Sequence, residues 1–103
     1  MPDERIPPAD CLTMAEVRHG VDRLDEKIVA LLAERFRYME AAARIKPTRA
    51  AVRDEARKAQ VIGNACRLAV EAGIQPDVIG RLYDALVEAS IAYEFDRFDA
   101  HRA

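Results

Sequence analysis

Three basic residues lie where apolar side chains are expected. Between residues 17 and 45, apolar residues recur in steps of three and four, the spacing of one helix face, and Arg35 occupies one of those positions. Lys46 follows eleven residues later, which on a helix points it in nearly the same direction, about 16 Å along the axis. Arg57 precedes Val61 by one turn of a later helix. Unpaired buried charges are costly, so this cationic set predicts a ligand that carries carboxylates.

Two polar residues continue the apolar face of the predicted third helix, and one more arginine lies near the start of the first. Ser90 and Glu94 follow the apolar stripe at helical spacing, so they should face the interior. Arg18 lies about 42 Å from Lys46 along one straight helix. It can therefore join the same site only from a partner chain, in an antiparallel dimer.

Each of these residues also has a structural explanation. Arg35 could pair with Glu34, Glu40 or Glu94. Lys46 could stabilise a helix end through the helix dipole. Arg57 taken alone is typical of an exposed arginine whose stem covers apolar surface. Ser90 could donate to a backbone carbonyl. Taken together, the set is rich in cations and poor in anions, which favours an anionic ligand.

The composition favours a small, mostly helical protein. The 103 residues suit one domain, and the formal net charge of -2 argues against nucleic-acid binding. The segment MPDERIPPAD lacks the pattern of an export signal, and no apolar stretch approaches the roughly 20 residues of a membrane span. We expect a cytoplasmic protein with free thiols at Cys11 and Cys66, and with His19 and His101 in solvent. No metal or cofactor motif is present.

The first helix is predicted to be unusually long. Thr13 and Glu16 form the pattern of a capping box at its start, and Pro47 ends it just after Lys46. Such a helix is roughly 50 Å long, whereas a compact domain of about 100 residues has a radius of gyration of about 13 Å. Two shorter helices cannot cover it, so its apolar face predicts a homodimer through paired first helices.

Two further helices are predicted after a short loop at residues 47–53, which is placed to act as a lid over the basic residues. Asp54 is the predicted N-cap of the second helix, Gly73 ends it, and Pro76 opens the third. The pattern contains no strand alternation. The expected organisation is an N-terminal extension at 1–12, a helical domain at 13–99 and a C-terminal tail at 100–103.

The sequence resembles the all-helical chorismate mutases, a family that also contains isochorismate pyruvate lyase. The resemblance covers about residues 12 to 98 and rests on VRHGVDRLDEKIVALLAERF in the first helix, followed by ARIK and VRDEAR. It implies three helices per chain with a long first helix, an intertwined homodimer, and two active sites that are each built from both chains. It implies no cofactor.

The resemblance also implies that four cations bind a small dicarboxylate, chorismate. Arg18 matches the arginine given across the dimer to one carboxylate, and Arg35 matches the arginine that binds the other. Lys46 matches the lysine near the ether oxygen, and Arg57 matches a further basic residue of the pocket. Chorismate rearranges to prephenate through a pericyclic transition state, so positioning and electrostatics are the expected sources of rate. Such an enzyme belongs to the shikimate pathway of aromatic amino acid biosynthesis.

Three further residues complete the implied site. Asp54 and Ser90 match polar residues around the ring hydroxyl and a carboxylate. Glu94 stands where many bacterial members have a glutamine that donates a hydrogen bond to the ether oxygen. A carboxyl group donates only when it is protonated, so we expect mutase activity to rise as the pH falls.

Two alternatives stay open. Pro47, the segment YMEAAARIK and the start ADCLTMAEVR are closer to the lyase branch, which eliminates pyruvate from isochorismate and leaves salicylate. Lys58 also stands where mutases often have a glutamate, whereas VRDEAR with Asp54 is closer to the mutases, which we favour. The second alternative is a non-catalytic helical dimer module. It predicts that protein carboxylates satisfy the cations and leave no cavity.

Overall fold

The computed structural model describes residues 4–103 and contains three long helices. They are α1 (Met14–Ile45), α2 (Glu55–Ala72) and α3 (Pro76–His101), with short 3-10 helices at Pro8–Asp10 and Arg49–Val52. Residues 4–103 contain no strand. The predicted all-α class, with three helices and a long first helix, is therefore confirmed.

Both ends of α1 follow from the local sequence. The backbone N–H of Glu16 donates to Thr13 Oγ1 at 3.2 Å, and that of Thr13 donates to Glu16 Oε1 at 2.9 Å. This is the predicted capping box. At the other end, the N–H of Lys46 donates to the carbonyl of Ala42 at 2.9 Å, and Pro47 has no N–H with which to continue the helix.

The termini of α2 and the start of α3 are also as predicted. Asp54 Oδ1 accepts from the backbone N–H of Arg57 at 3.0 Å, which satisfies a donor at the start of α2. Gly73 follows α2 with a φ of 78°, a left-handed conformation that glycine adopts without strain, and its N–H donates to Val70 O at 3.1 Å. Pro76 occupies the first turn of α3.

The chain divides into two compact units, one up to Arg35 and one from Phe36 onward. In the second unit, α2 packs against α3, and the 3-10 helix at Arg49–Val52 also contacts α3. The buried core of this unit consists of Ala43, Val52, Val87, Ile91 and Phe98. Among the described residues no large side chain is fully buried, so the core is small.

In the first unit, residues 5–11 lie beside the first part of α1. A groove of about 480 Å³ lies between them, lined by residues that include Ile6, Val17 and Leu24. Cys11 Sγ lies 3.7 Å from the carbonyl of Ile6, and the thiol is free, as is that of Cys66. The prediction of free thiols is confirmed.

The apolar seam of α1 is largely exposed within the single chain. Its exposed members are Val17, Val21, Leu24, Ile28, Leu31, Tyr38 and Ile45. Leu31 is 66% and Tyr38 67% exposed, values that are high for apolar residues in a regular stripe. The seam is therefore an apolar surface that other residues of the same chain leave exposed.

The structure refines two local predictions. Residues 47–53, predicted as a loop, contain a 3-10 helix because Val52 turns into the core and is only 3% exposed. The third helix extends to His101, so the predicted tail at 100–103 begins as helix. Within residues 4–103, no helix has the length and hydropathy needed to cross a bilayer.

Candidate active site

A partly buried ion pair joins the end of α1 to α3. The Nζ of Lys46, the residue after α1, lies 2.6 Å from Glu94 Oε2, and Glu94 is only 4% exposed. The same Nζ donates to the carbonyl of Val52 at 3.4 Å. A buried carboxylate needs a partner of opposite charge, and Lys46 supplies it. Two of the predicted site residues are thus brought into direct contact.

Ser90 lies one turn before Glu94 on the same buried face of α3. It is 3% exposed, and its hydroxyl donates to the carbonyl of Leu86 at 2.7 Å. This is the backbone contact that the structural explanation of Ser90 predicts. No buried side-chain nitrogen or oxygen in the described part of the chain lacks a hydrogen-bond partner.

Asp54 and Arg57 meet each other at the cap of α2. The carboxylate of Asp54 is occupied by the backbone N–H of Arg57. The Arg57 guanidinium donates to Gln60 Oε1 at 2.7 Å, and its side chain is exposed. The exposed position agrees with the structural explanation of Arg57.

The two remaining arginines lie on α1, in the unit that ends at residue 35. Arg18 is exposed, whereas Arg35 is partly buried. Arg18 belongs to the same exposed stretch as His19, whose predicted exposure is confirmed. The roles of the two arginines toward a substrate stay predictions.

A cluster of charges formed by Arg53, Lys58 of α2 and two carboxylates of α3 has no counterpart in the predictions. Arg53 makes a two-pronged contact with Glu88, at 2.8 and 3.1 Å, and Lys58 Nζ lies 2.8 Å from Glu88 and 3.1 Å from Asp84. Hydrogen bonds from Arg53 and then Lys58 lower the pKa of Glu88 to about 2. Glu88 and Asp84, in turn, raise the pKa of Lys58. The acidic pair four residues apart on α3 was the signal in the sequence, and it leaves Lys58 neutralised by protein carboxylates.

The segment between Lys46 and α2 is tied to α3 along its length. Near its start, Arg49 Nε lies 2.9 Å from Asp99, and its guanidinium lies 4.5 Å from the centre of the Phe95 ring. Val52 is buried in the core, and Arg53 at the end of the segment contacts Glu88. A segment held in this way supports the position of Lys46, whereas its predicted action as a lid has no observation in its favour.

Glu40, on α1, has three partners from α3. Its carboxylate lies 2.6 Å from Arg97 Nε and 2.9 Å from His101 Nε2, and it accepts from the Tyr93 hydroxyl at 3.3 Å. The hydrogen bond from Arg97 is the main reason that the pKa of Glu40 is lowered. His101, expected to lie in solvent, is exposed but also contacts Glu40. Residues 4–103 contain no group of three or more side chains suited to hold a metal ion.

The family assignment follows from a match over most of the chain. A family model described as chorismate mutase type II matches residues 17–95. The chain belongs to the chorismate mutase type II family. The range includes every predicted site residue of the chain, from Arg18 to Glu94. The resemblance read from the sequence is therefore confirmed.

One curated relative narrows the comparison within the chorismate mutase type II family. Isochorismate pyruvate lyase from Pseudomonas aeruginosa is 33% identical over 85 residues, which are 82% of this chain and 84% of the relative. The match therefore covers most of both proteins. It supports an enzyme of the chorismate mutase type and does not distinguish the mutase reaction from the lyase reaction.

Proposed function

We propose that this protein is a chorismate mutase that converts chorismate to prephenate in a cationic pocket. The observation that carries the proposal is the Lys46–Glu94 pair, 2.6 Å apart and partly buried at the end of α1, in a chain of the chorismate mutase type II family. A pericyclic rearrangement needs no covalent intermediate, so the site must hold the reactive conformer and stabilise charge on the ether oxygen. A partly buried ammonium with a fixed partner is suited to that task.

In this proposal each cation contacts a different group of the substrate. Lys46 faces the ether oxygen, Arg35 binds one carboxylate, and Arg18 of a second chain binds the other through bidentate contacts. Arg57 lines the pocket. The polar residues proposed at the ring hydroxyl and a carboxylate are Asp54 and Ser90.

Glu94 has a proposed role that depends on its proton. As the ion-pair partner of Lys46 it accepts hydrogen bonds, and it can donate one to the ether oxygen only as the acid. We therefore propose that turnover increases as the pH is lowered from about 8 to about 5. Glutamine donates without a proton, so a Glu94→Gln variant should lose this dependence.

The proposed enzyme is a homodimer. The exposed seam of α1 supports this, because about half or more of the surface of Val21, Ile28 and Leu31 faces solvent in the single chain. The absence of fully buried large side chains within residues 4–103 gives the same indication, since a small core gains stability from a second chain. Sedimentation equilibrium measures the mass directly, and a monomer at micromolar concentration would contradict the proposal.

Isochorismate pyruvate lyase activity is the second candidate, supported by the 33% identical relative of that name. It uses the same charges on a substrate whose hydroxyl is on another ring carbon, and gives salicylate and pyruvate. A non-catalytic dimer module is the third candidate, and the pairing of Lys46 and Lys58 with carboxylates agrees with it.

One experiment separates the three candidates. The purified protein is incubated in parallel with chorismate and with isochorismate between pH 5 and 8, and prephenate, salicylate and pyruvate are measured. Prephenate as the faster-formed product supports the mutase, and salicylate with equimolar pyruvate supports the lyase. If neither substrate is consumed faster than in buffer, both enzyme proposals fail and the module is supported.

We propose a cytoplasmic role in aromatic amino acid biosynthesis for the mutase.

A further inference from the structure

Arg102, just beyond α3, binds the end of α1. Its Nη1 donates to the carbonyl of Ala43 and its Nη2 to the carbonyl of Lys46, both at 2.6 Å. The last carbonyls of a helix have no partner within the helix and lie at the negative end of its dipole. A forked, charged donor therefore satisfies two acceptors at the site where α1 ends.

The guanidinium of Arg102 is itself held in place by α3. It lies 3.7 Å from the centre of the Phe98 ring, and Phe98 is a core residue that is 7% exposed. The backbone N–H of Arg102 donates to Asp99 O at 3.2 Å, which caps α3. The stacking and the cap fix the direction of a side chain that would otherwise move freely in solvent.

Lys46 is consequently held at two points from one helix. Glu94 binds its Nζ, and Arg102 binds its carbonyl oxygen. Glu94, Phe98 and Arg102 are spaced four residues apart, so they lie on one face at the end of α3. Neither the periodicity of the sequence nor the proposed reaction assigns a task to Arg102.

We propose that Arg102 is a positioning residue for Lys46. It touches no substrate: it holds the last turn of α1, so that the Lys46 ammonium stays where the ether oxygen is to be bound. Without the guanidinium, the carbonyls of Ala43 and Lys46 turn to water and the end of α1 frays. The catalytic part of this inference rests on the proposed function, whereas the structural part does not.

The test compares Arg102→Ala and Arg102→Lys with a matched control, Arg81→Ala. Arg81 is another exposed arginine of α3, and its Nε donates to a carbonyl one turn back on the same helix. Two kinds of measurement are made. Steady-state kinetics give kcat and KM for chorismate, and hydrogen exchange is followed at the backbone amides of residues 44–46. Circular dichroism and the unfolding midpoint report whether each variant is folded.

In Arg102→Ala, kcat should fall about tenfold with KM within about twofold, because the substrate still binds while the ammonium is misplaced. Exchange at residues 44–46 should increase about tenfold, because the last turn opens more often. Arg102→Lys keeps a positive charge but loses the forked guanidinium. Its kcat and its exchange rate should therefore lie between those of the wild type and the alanine variant. Arg81→Ala should change neither the kinetic constants nor the exchange rate.

Unchanged exchange at residues 44–46 in Arg102→Ala would overturn the structural part. Unchanged kcat in a folded Arg102→Ala would overturn positioning for catalysis. If Arg102→Ala does not fold, Arg102→Lys decides by the same two measurements. If the wild type consumes neither substrate, the proposed function fails by itself, and the exchange data still decide whether Arg102 holds the end of α1.

Discussion

Replacing Lys46 with methionine removes the ammonium and keeps an unbranched stem of similar length. The change leaves Glu94, 4% exposed, without the cation that lies 2.6 Å away in the wild type. The variant should therefore lose both stability and turnover, because both depend on the ammonium. An isolated charge in the interior is costly, and the proposed ether-oxygen contact is gone.

The expected size of the stability loss follows from the exposure of the pair. Removing one partner of a buried ion pair costs about 3–5 kcal/mol. The side chain of Lys46 is 29% exposed, so water already reaches part of it and the lower end, about 3 kcal/mol, is expected. At about 4 °C per kcal/mol for a domain of this size, the midpoint temperature of thermal unfolding should fall by about 12 °C. Turnover should fall about a hundredfold or more.

Stability is measured by urea unfolding at one fixed protein concentration, because the stability of a dimer depends on concentration. A double variant, Lys46→Met with Glu94→Gln, has no buried charge at this position. It should recover most of the stability and none of the turnover.

Two results would refute this reasoning. A loss of less than about 1 kcal/mol at pH 7, the value typical of a surface ion pair, would mean that Glu94 does not depend on Lys46 for its burial. A loss that the double variant does not relieve would mean that packing and not charge is responsible.

Three further predictions concern other charges. The turnover of Glu94→Gln should vary less between about pH 5 and 8 than that of the wild type, and equally flat rate profiles would contradict the proposed acid. Arg18→Ala and Arg35→Ala should each reduce turnover about a hundredfold or more while sedimentation still shows a dimer; loss of the dimer would favour a structural role. The pKa of Glu88 is lowered from 4.5 to about 2, so its ion pairs stabilise the fold above about pH 4.5 and are lost as the pH falls toward 2. Glu88→Gln should remove this part of the acid transition seen by circular dichroism, and a transition equal to that of the wild type would count against the cluster.

The helix boundaries could be predicted because their causes are local. The capping box at Thr13, the proline after Lys46, the cap at Asp54 and the glycine after α2 each act within one turn of chain. Residue type and spacing suffice for such contacts. The end of α3 was less predictable, because Arg102, which follows it, finds its partners at Ala43 and Lys46, more than 50 residues away in sequence.

The candidate site was only half predictable for the opposite reason. The sequence identifies Lys46 and Glu94 separately, and it offers Glu94 only as one of three possible partners of Arg35. The structure pairs it with Lys46, which is 48 residues away in sequence. Likewise, Arg53, Lys58 and Glu88 are brought together by the packing of α2 on α3. Counting cations along the sequence cannot show which carboxylate reaches each of them.

The sequence by itself determined the all-α class, the length of α1, its apolar seam and membership of the chorismate mutase type II family. These depend on periodicity, caps and motif order, which are properties of neighbouring residues. Only the tertiary structure decided that Glu94 is buried against Lys46, and that Arg102 binds the backbone of the same residue. The physical reason is that α3 presents one face to the end of α1, and charges far apart in sequence find their partners through that packing.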